Sequence, residues 1–261
     1  MMVLLAISLY FGAKFSLGIV CIIGFLTIHE ILVNFLKQKK FTKNYVILQS
    51  SFAIPFVLFN YFFYTTQLAS LLISISVIIN VLLIVYLFYL DIESDFVVKF
   101  SRKYSFIVPT LILFPLFALS AVLQHGEWLP LVAILLLVNF GMDTGAWFFG
   151  KKFGKHKLWP AVSPNKTLEG FIGGAFTSGF LGGICWHLLF GDMKVSLFFL
   201  FVFLGVMSQV GDLIQSKFKR QFGIKDSSAL IPGHGGVYDR IDSLIFLTPF
   251  FATALKYYNI V

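Results

Sequence analysis

The sequence predicts an all-α, polytopic membrane bundle of about eight to nine transmembrane helices. Three observations carry that reading. Apolar residues make up 58% of the 261 and charged residues only 12%, against about 45–50% and about 25% in an ordinary soluble domain. Mean hydropathy is +0.89. The apolar residues also fall in runs of about 18–25, the length that crosses a bilayer as helix. These values exclude a water-soluble globule, and they exclude disorder, which needs low hydrophobicity with high net charge.

In chain order, the runs are Phe15 to Leu36, Tyr45 to Tyr64, Leu68 to Leu90, Phe106 to Leu123, Leu129 to Phe149, Gly170 to Phe190, Val195 to Ile214 and Ile241 to Tyr257. The stretch Met1 to Ala13 is apolar but short. It lacks a basic leader and a clear small-residue cleavage site, so it is expected to be retained. The connecting loops alternate in charge: those after the first, third, fifth and seventh runs hold 17 of the 20 basic residues. Basic loops stay on the cytoplasmic side, which predicts a bacterial inner (plasma) membrane protein with those loops in the cytoplasm. The net charge of +8 therefore points to orientation, anionic headgroups and phosphates rather than to nucleic acid. Cys21 and Cys185 sit in different apolar runs, which gives neither a disulfide framework nor a zinc motif.

The chemistry is uneven along the chain. Residues 1–128 read as hydrophobic scaffold, in which His29 and Glu30 stand out and read as a helix-end anchor. Residues 129–261 read as the catalytic membrane region, with polar loops at 150–169 and 215–240. Gly170, Gly174, Gly179 and Gly183 form small-xxx-small pairs, which serve close helix packing.

Ser208, Asp212, Ser216 and Arg220 recur every four residues and share one helix face, with Gln215 beside them. An ionised Asp facing lipid costs a few kcal/mol, so Asp212 is a functional-site candidate. Asn139 and Asp143 repeat the spacing one span group earlier, and Gly141 and Gly145 admit a close neighbour. Pro232, Gly233, His234, Gly235 and Gly236 force an irregular turn whose N–H groups suit phosphate. Asp239 and Asp242 follow on a common face of the last helix. Convergent carboxylates suit Mg²⁺, which leaves coordination positions for substrate phosphates. Lys166, Lys217, Lys219, Arg220, Lys225 and Arg240 surround the acids and suit phosphate oxygens. Ser163 and Pro164 also fit a helix start. Acids, metal and bases at a lipid interface point to phosphoryl or nucleotidyl transfer. No P-loop, dinucleotide fingerprint or GxSxG elbow is present. A transporter predicts acids at mid-bilayer and inverted repeats, whereas these acids cluster at helix ends.

Two blocks extend this pattern. One runs from Asp143-Thr144-Gly145-Ala146-Trp147 to Gly150 and on through Ser163-Pro164-Asn165-Lys166-Thr167-Leu168-Glu169-Gly170. The other runs from Ser216-Lys217-Phe218-Lys219-Arg220 through Lys225-Asp226-Ser227-Ser228 to Tyr238-Asp239-Arg240-Ile241-Asp242-Ser243. In these residues the chain resembles the phosphatidate cytidylyltransferase (CDP-diacylglycerol synthase) family, and Ser228 stands where glycine is commoner in relatives.

The resemblance implies an often dimeric helical membrane enzyme that takes CTP and phosphatidic acid as substrates and releases CDP-diacylglycerol and pyrophosphate. It implies Mg²⁺ on Asp212 and Asp239, with Asp143, Asp226 and Asp242 nearby, and a potassium-type monovalent ion beside it. Lys219 and Arg220 join the two aspartates as catalytic residues. Ser163, Asn165, Lys166, Thr167, Glu169, Ser216, Lys225, His234, Gly235, Gly236 and Arg240 are expected to bind substrate, with His234 fixing a turn or meeting phosphate rather than acting as a base. The chemistry agrees: a phosphate monoester has a second pKa near 6, so the lipid nucleophile is ionised without a strong base. Related enzymes with a polyprenol or ether-lipid acceptor share the same plan.

Overall fold

The computed structural model describes residues 10–192, 194–229 and 235–257. Among them the expected spans all appear as helices. These are α1 (Ala13–Glu30) with a π-helical turn at Ile31–Phe35, α2 (Lys43–Tyr61), α3 (Thr66–Tyr89), α5 (Ile107–Leu123), α6 (Trp128–Phe153), α7 (Leu168–Phe190), α8 (Val195–Gln221) and α9 (Tyr238–Tyr257). A short α4 (Phe96–Lys103) precedes α5 and meets it at 89°. Most of Met1 to Ala13 lies outside the described residues.

Five of these helices, the first counted with its π turn, are long and apolar enough to cross a membrane, and six are if α4 and α5 form one bent span. Length and apolarity thus support five or six crossings where the sequence suggested eight to nine. The difference lies partly in α2 and α9, which are diluted by Asn44, Gln49, Ser50 and Asn60 and by Asp239, Arg240 and Asp242. The outer faces remain apolar: Ile78, Leu82 and Phe88 of α3 and Phe176, Phe180 and Leu188 of α7 are exposed. A soluble monomer rarely shows so large an apolar surface, and lipid is the solvent that removes its cost.

Inside, α1, α2 and α5 share an aromatic core, where Phe56 stacks on Phe117 at 6.0 Å and Phe59 meets Phe117 edge-on at 4.9 Å. Buried polar side chains hold helices together across the apolar interior. Asn80 of α3 donates to the Phe246 carbonyl at 2.8 Å, and Gln124 donates to Asn60 at 2.8 Å.

The loop at 150–169 departs from expectation. It contains a two-stranded antiparallel hairpin, β1 (Lys157–Trp159) with β2 (Ser163–Thr167). Ser163 and Pro164 therefore do not start a helix. Thr167 does: its Oγ1 accepts the Gly170 N–H at 3.1 Å and caps α7. The preceding strand sets Thr167 extended, the backbone form an N-cap requires.

Gly170, Gly174 and Gly179 of α7 serve close packing as the sequence suggests, and Gly183 does not. A methyl on Gly174 would sit 2.6 Å from the Met142 carbonyl oxygen of α6, and one on Gly170 would sit 2.6 Å from the Ala146 oxygen. Gly183 has open space around it. Gly174→Ala is expected to lower stability by about 1–3 kcal/mol through overpacking, while Gly183→Ala leaves it unchanged, as read by thermal unfolding in detergent.

Candidate functional site

Helices α6 and α8 run in the same direction, with α7 returning between them. Midway along, the Ser208 hydroxyl donates to Asn139 Oδ1 at 2.8 Å, and both residues are buried. Each helix carries an aspartate four residues further on, Asp143 and Asp212. Equal offsets from a bonded pair bring these acids to the same level, and their charges interact.

The β-hairpin closes over them. Lys166 on β2 donates to Asp212 Oδ2 at 2.5 Å, and the two side chains keep 21% and 30% of their surface exposed. Ser216 donates to Asp212 Oδ1 at 3.1 Å from the next turn of α8. A cavity of about 370 Å³ opens here, lined among others by Asp143, Trp147, Asn165, Lys166, Thr167, Gln209 and Asp212. Four of the expected site residues thus share one hollow with the Asp143 carboxylate.

A second cluster lies one to two turns further along α8. Lys219 donates to Asp239 Oδ1 at 2.8 Å, and Gln215 donates to the same oxygen at 3.1 Å. The other oxygen, Oδ2, accepts the Ser227 N–H at 2.8 Å, the Ser227 hydroxyl at 2.9 Å and the Gly236 N–H at 2.9 Å. Gly235 has φ +79°, and a side chain there would run into Asp239 Oδ2. Asp242, one turn after Asp239 on α9, feels the charges of Asp212, Lys166 and Lys219.

Other expected residues are engaged elsewhere. Glu169 accepts from the backbone of Lys155 at 3.1 Å and from His156 Nδ1 at 2.7 Å, which pins the loop before β1. Lys217, read as one of the bases around the acids, is 1% exposed and turns away from them. Its ammonium donates to the carbonyls of Tyr86, Leu87 and Leu90 and lies 5.7 Å from the Trp159 ring. It caps the C-terminus of α3, where a cation opposes the helix dipole, and braces the hairpin. Ser163 is half-buried at the start of β2, while Arg220, Lys225, Asp226 and Arg240 are exposed. His234 lies outside the described residues.

The sequence reading missed the part played by Glu30. It is 2% exposed, and its carboxylate accepts from the hydroxyls of Ser227 and Ser228 and the N–H groups of Val237 and Tyr238, at 2.6–3.0 Å. The signal was present, because an acid within an apolar run needs a partner.

Among the described residues, no three His, Cys, Asp or Glu side chains form a ready metal cage. Mg²⁺ needs only one or two carboxylates, with water and phosphate completing its shell. Asp212 fits that requirement, with Asp143 and Asp242 close by and the Lys166 ammonium balancing its charge. Asp239 has five protein donors already and reaches a cation only by releasing one.

Comparison with known proteins adds an independent line. A family model described as "Cytidylyltransferase family" matches residues 1–258. A phosphatidate cytidylyltransferase of Staphylococcus saprophyticus is 45% identical over 128 residues, which are 48% of this chain and 48% of that protein. Phosphatidate cytidylyltransferases of Staphylococcus aureus and Staphylococcus haemolyticus are 47% and 46% identical over equal shares. The match spans about half the length of these curated relatives.

Lys217→Met keeps the side chain's bulk but leaves the α3 carbonyls without their donor. It is expected to cost about 1–3 kcal/mol of stability, seen as a lower unfolding midpoint in detergent.

Proposed function

The chain belongs to the cytidylyltransferase family, and we propose that it transfers CMP from CTP to phosphatidic acid, giving CDP-diacylglycerol and pyrophosphate for phospholipid biosynthesis. The observation that carries this reading is a pair of cavities sharing helix α8. The first is the hollow around Lys166 and Asp212, lined on α8 by Gln209 and Asp212. The second, of about 270 Å³, is lined on α8 by Gly211, Ile214, Gln215 and Phe218. Its remaining wall is mostly apolar, including Leu83, Phe100, Leu111 and Ile245, and Asp242 also lines it. A cavity carrying Asp143, Lys166 and Asp212 and a more apolar one on the same helix suit a nucleotide and a lipid whose headgroup must meet it.

In this reading an ionised oxygen of the lipid phosphate attacks the α-phosphorus of CTP. The new P–O bond forms as the bond to pyrophosphate breaks, and no proton must be removed from the nucleophile. The barrier is the approach of two polyanions, so catalysis is positioning and charge neutralisation. Lys166 and Lys219 supply positive charge, one beside Asp212 and the other beside Asp239. Asn165 and Thr167 face the nucleotide cavity. Arg220 and Arg240, both exposed at this end of the bundle, draw phosphate toward the site. A divalent cation such as Mg²⁺, held by Asp212 with Asp143 and Asp242 in reach, would neutralise the phosphates and the leaving pyrophosphate. Asp239 holds Lys219, Ser227 and Gly236 in place around it.

We assign this end of the bundle to the cytoplasmic side of a bacterial plasma membrane. The basis is the distribution of charge, since 17 of the 20 basic residues lie in the loops and helix ends on this side.

Purified protein given labelled CTP, phosphatidic acid and Mg²⁺ is expected to make CDP-diacylglycerol. Asp212→Asn should lower that rate by about 100-fold or more while the protein stays folded in detergent. A near-normal rate in this variant removes Asp212 from the chemistry. A product formed only with a polyprenol or ether-lipid acceptor would replace phosphatidic acid in the reading.

A further inference from the structure

Glu30 ends the first helix, and the residues it binds lie 197 to 208 positions later in the chain. A carboxylate removed from water needs a compensating charge or a full set of donors. Among the described residues Glu30 has no ion pair. It has four neutral donors instead, and two of them are the N–H groups of Val237 and Tyr238 at the start of α9. Those groups are otherwise unsatisfied, and the helix dipole there favours negative charge. One turn after Glu30, beyond the start of the π turn, Asn34 Nδ2 donates to the Ser227 carbonyl at 2.7 Å. The end of α1 therefore grips both sides of the segment between α8 and α9.

The grip reaches Asp239 through one atom. The Ser227 hydroxyl lies 3.0 Å from Glu30 Oε2 and 2.9 Å from Asp239 Oδ2. A hydroxyl carries one proton, so it donates fully to only one of the two carboxylates at a time. The backbone is fitted to this arrangement. A methyl on Gly236 would stand 2.0 Å from Ser227 Oγ and 2.5 Å from Glu30 Oε2. The Gly236 N–H is itself a donor to Asp239.

We propose that Glu30 is a positioning residue for Asp239. By accepting the Ser227 hydroxyl and the first N–H groups of α9, it fixes where the Asp239 carboxylate stands. It also lets Asp239 Oδ2 give up the Ser227 hydroxyl when a substrate or cation competes for that oxygen. The catalytic half of this inference rests on the reaction proposed above; the structural half does not.

The test is Glu30→Gln in the full-length protein in detergent, read by hydrogen–deuterium exchange and by kinetics. The Ser227 and Gly236 amides touch Asp239 and not Glu30. Their exchange is expected to rise by about tenfold or more, while exchange along α6 and α7 stays at the wild-type rate. The kcat should fall by about 10–100-fold with KM for CTP changed less than about threefold, a split that general loss of structure does not produce.

Faster exchange at Val237 and Tyr238 alone would reduce Glu30 to a helix cap and overturn the proposal, as would an unchanged kcat. If Glu30→Gln fails to fold, Ser227→Ala, which cuts the bridge itself, is judged by exchange at Gly236 and by kcat. No change in either there overturns the proposal too. A wild-type protein that makes no CDP-diacylglycerol would sink the proposed reaction, yet the exchange comparison would still decide the role of Glu30.

Discussion

The ion pair between Lys166 and Asp212 joins the one hairpin described in the structure to the helix on which the site is built. Its cause is a constraint that runs through the whole bundle: a charge at the end of an apolar helix must find a partner before it can be buried. Lys166 and Asp212 satisfy each other, and so do Lys219 and Asp239. Lys217 and Glu30 use helix ends instead, one at the C-terminus of α3 and the other at the N-terminus of α9. Three of these four solutions start from the last turns of α8, and the fourth reaches α8 through Ser227 and Asp239.

That arrangement gives the two halves of the chain one shared centre. The aromatic packing of α1, α2 and α5 fixes α1, and α1 in turn places Glu30 and Asn34 against Ser227, Ser228, Val237 and Tyr238. On the far side, the glycine-lined contact of α6 with α7 sets the level of Asp143 and carries Thr167, from which the hairpin is hung. Asp242 is within electrostatic reach of both ion pairs. Reactants carrying many negative charges would find two lysines already oriented, so little reorganisation is needed when they bind.

Much of this was legible in the residues. The helical spans follow from run length, and the four-residue spacings put Asn139 with Asp143, and Ser208 with Asp212, on one face of each helix. The close α6–α7 packing follows from the glycines. What local pattern could not give was partner choice over long range. Lys217 and Lys219 look alike in a basic run, yet a rotation of two residues on a helix sends one to the α3 carbonyls and the other to Asp239. Ser163 and Pro164 carry a helix-start pattern that hairpin pairing overrode. Glu30 was visible as an acid in an apolar run, but its donors lie about 200 residues away, beyond any local periodicity.

The most direct test of the account is Mn²⁺ binding in place of Mg²⁺, followed by electron paramagnetic resonance on the detergent-purified protein with CTP present. Asp212 is held to be the carboxylate that receives the cation, so Asp212→Asn should weaken Mn²⁺ binding by about tenfold or more relative to the unaltered chain. Equal Mn²⁺ affinity in the two proteins would contradict the account, because the cation would then sit away from the Lys166–Asp212 pair around which the site is drawn.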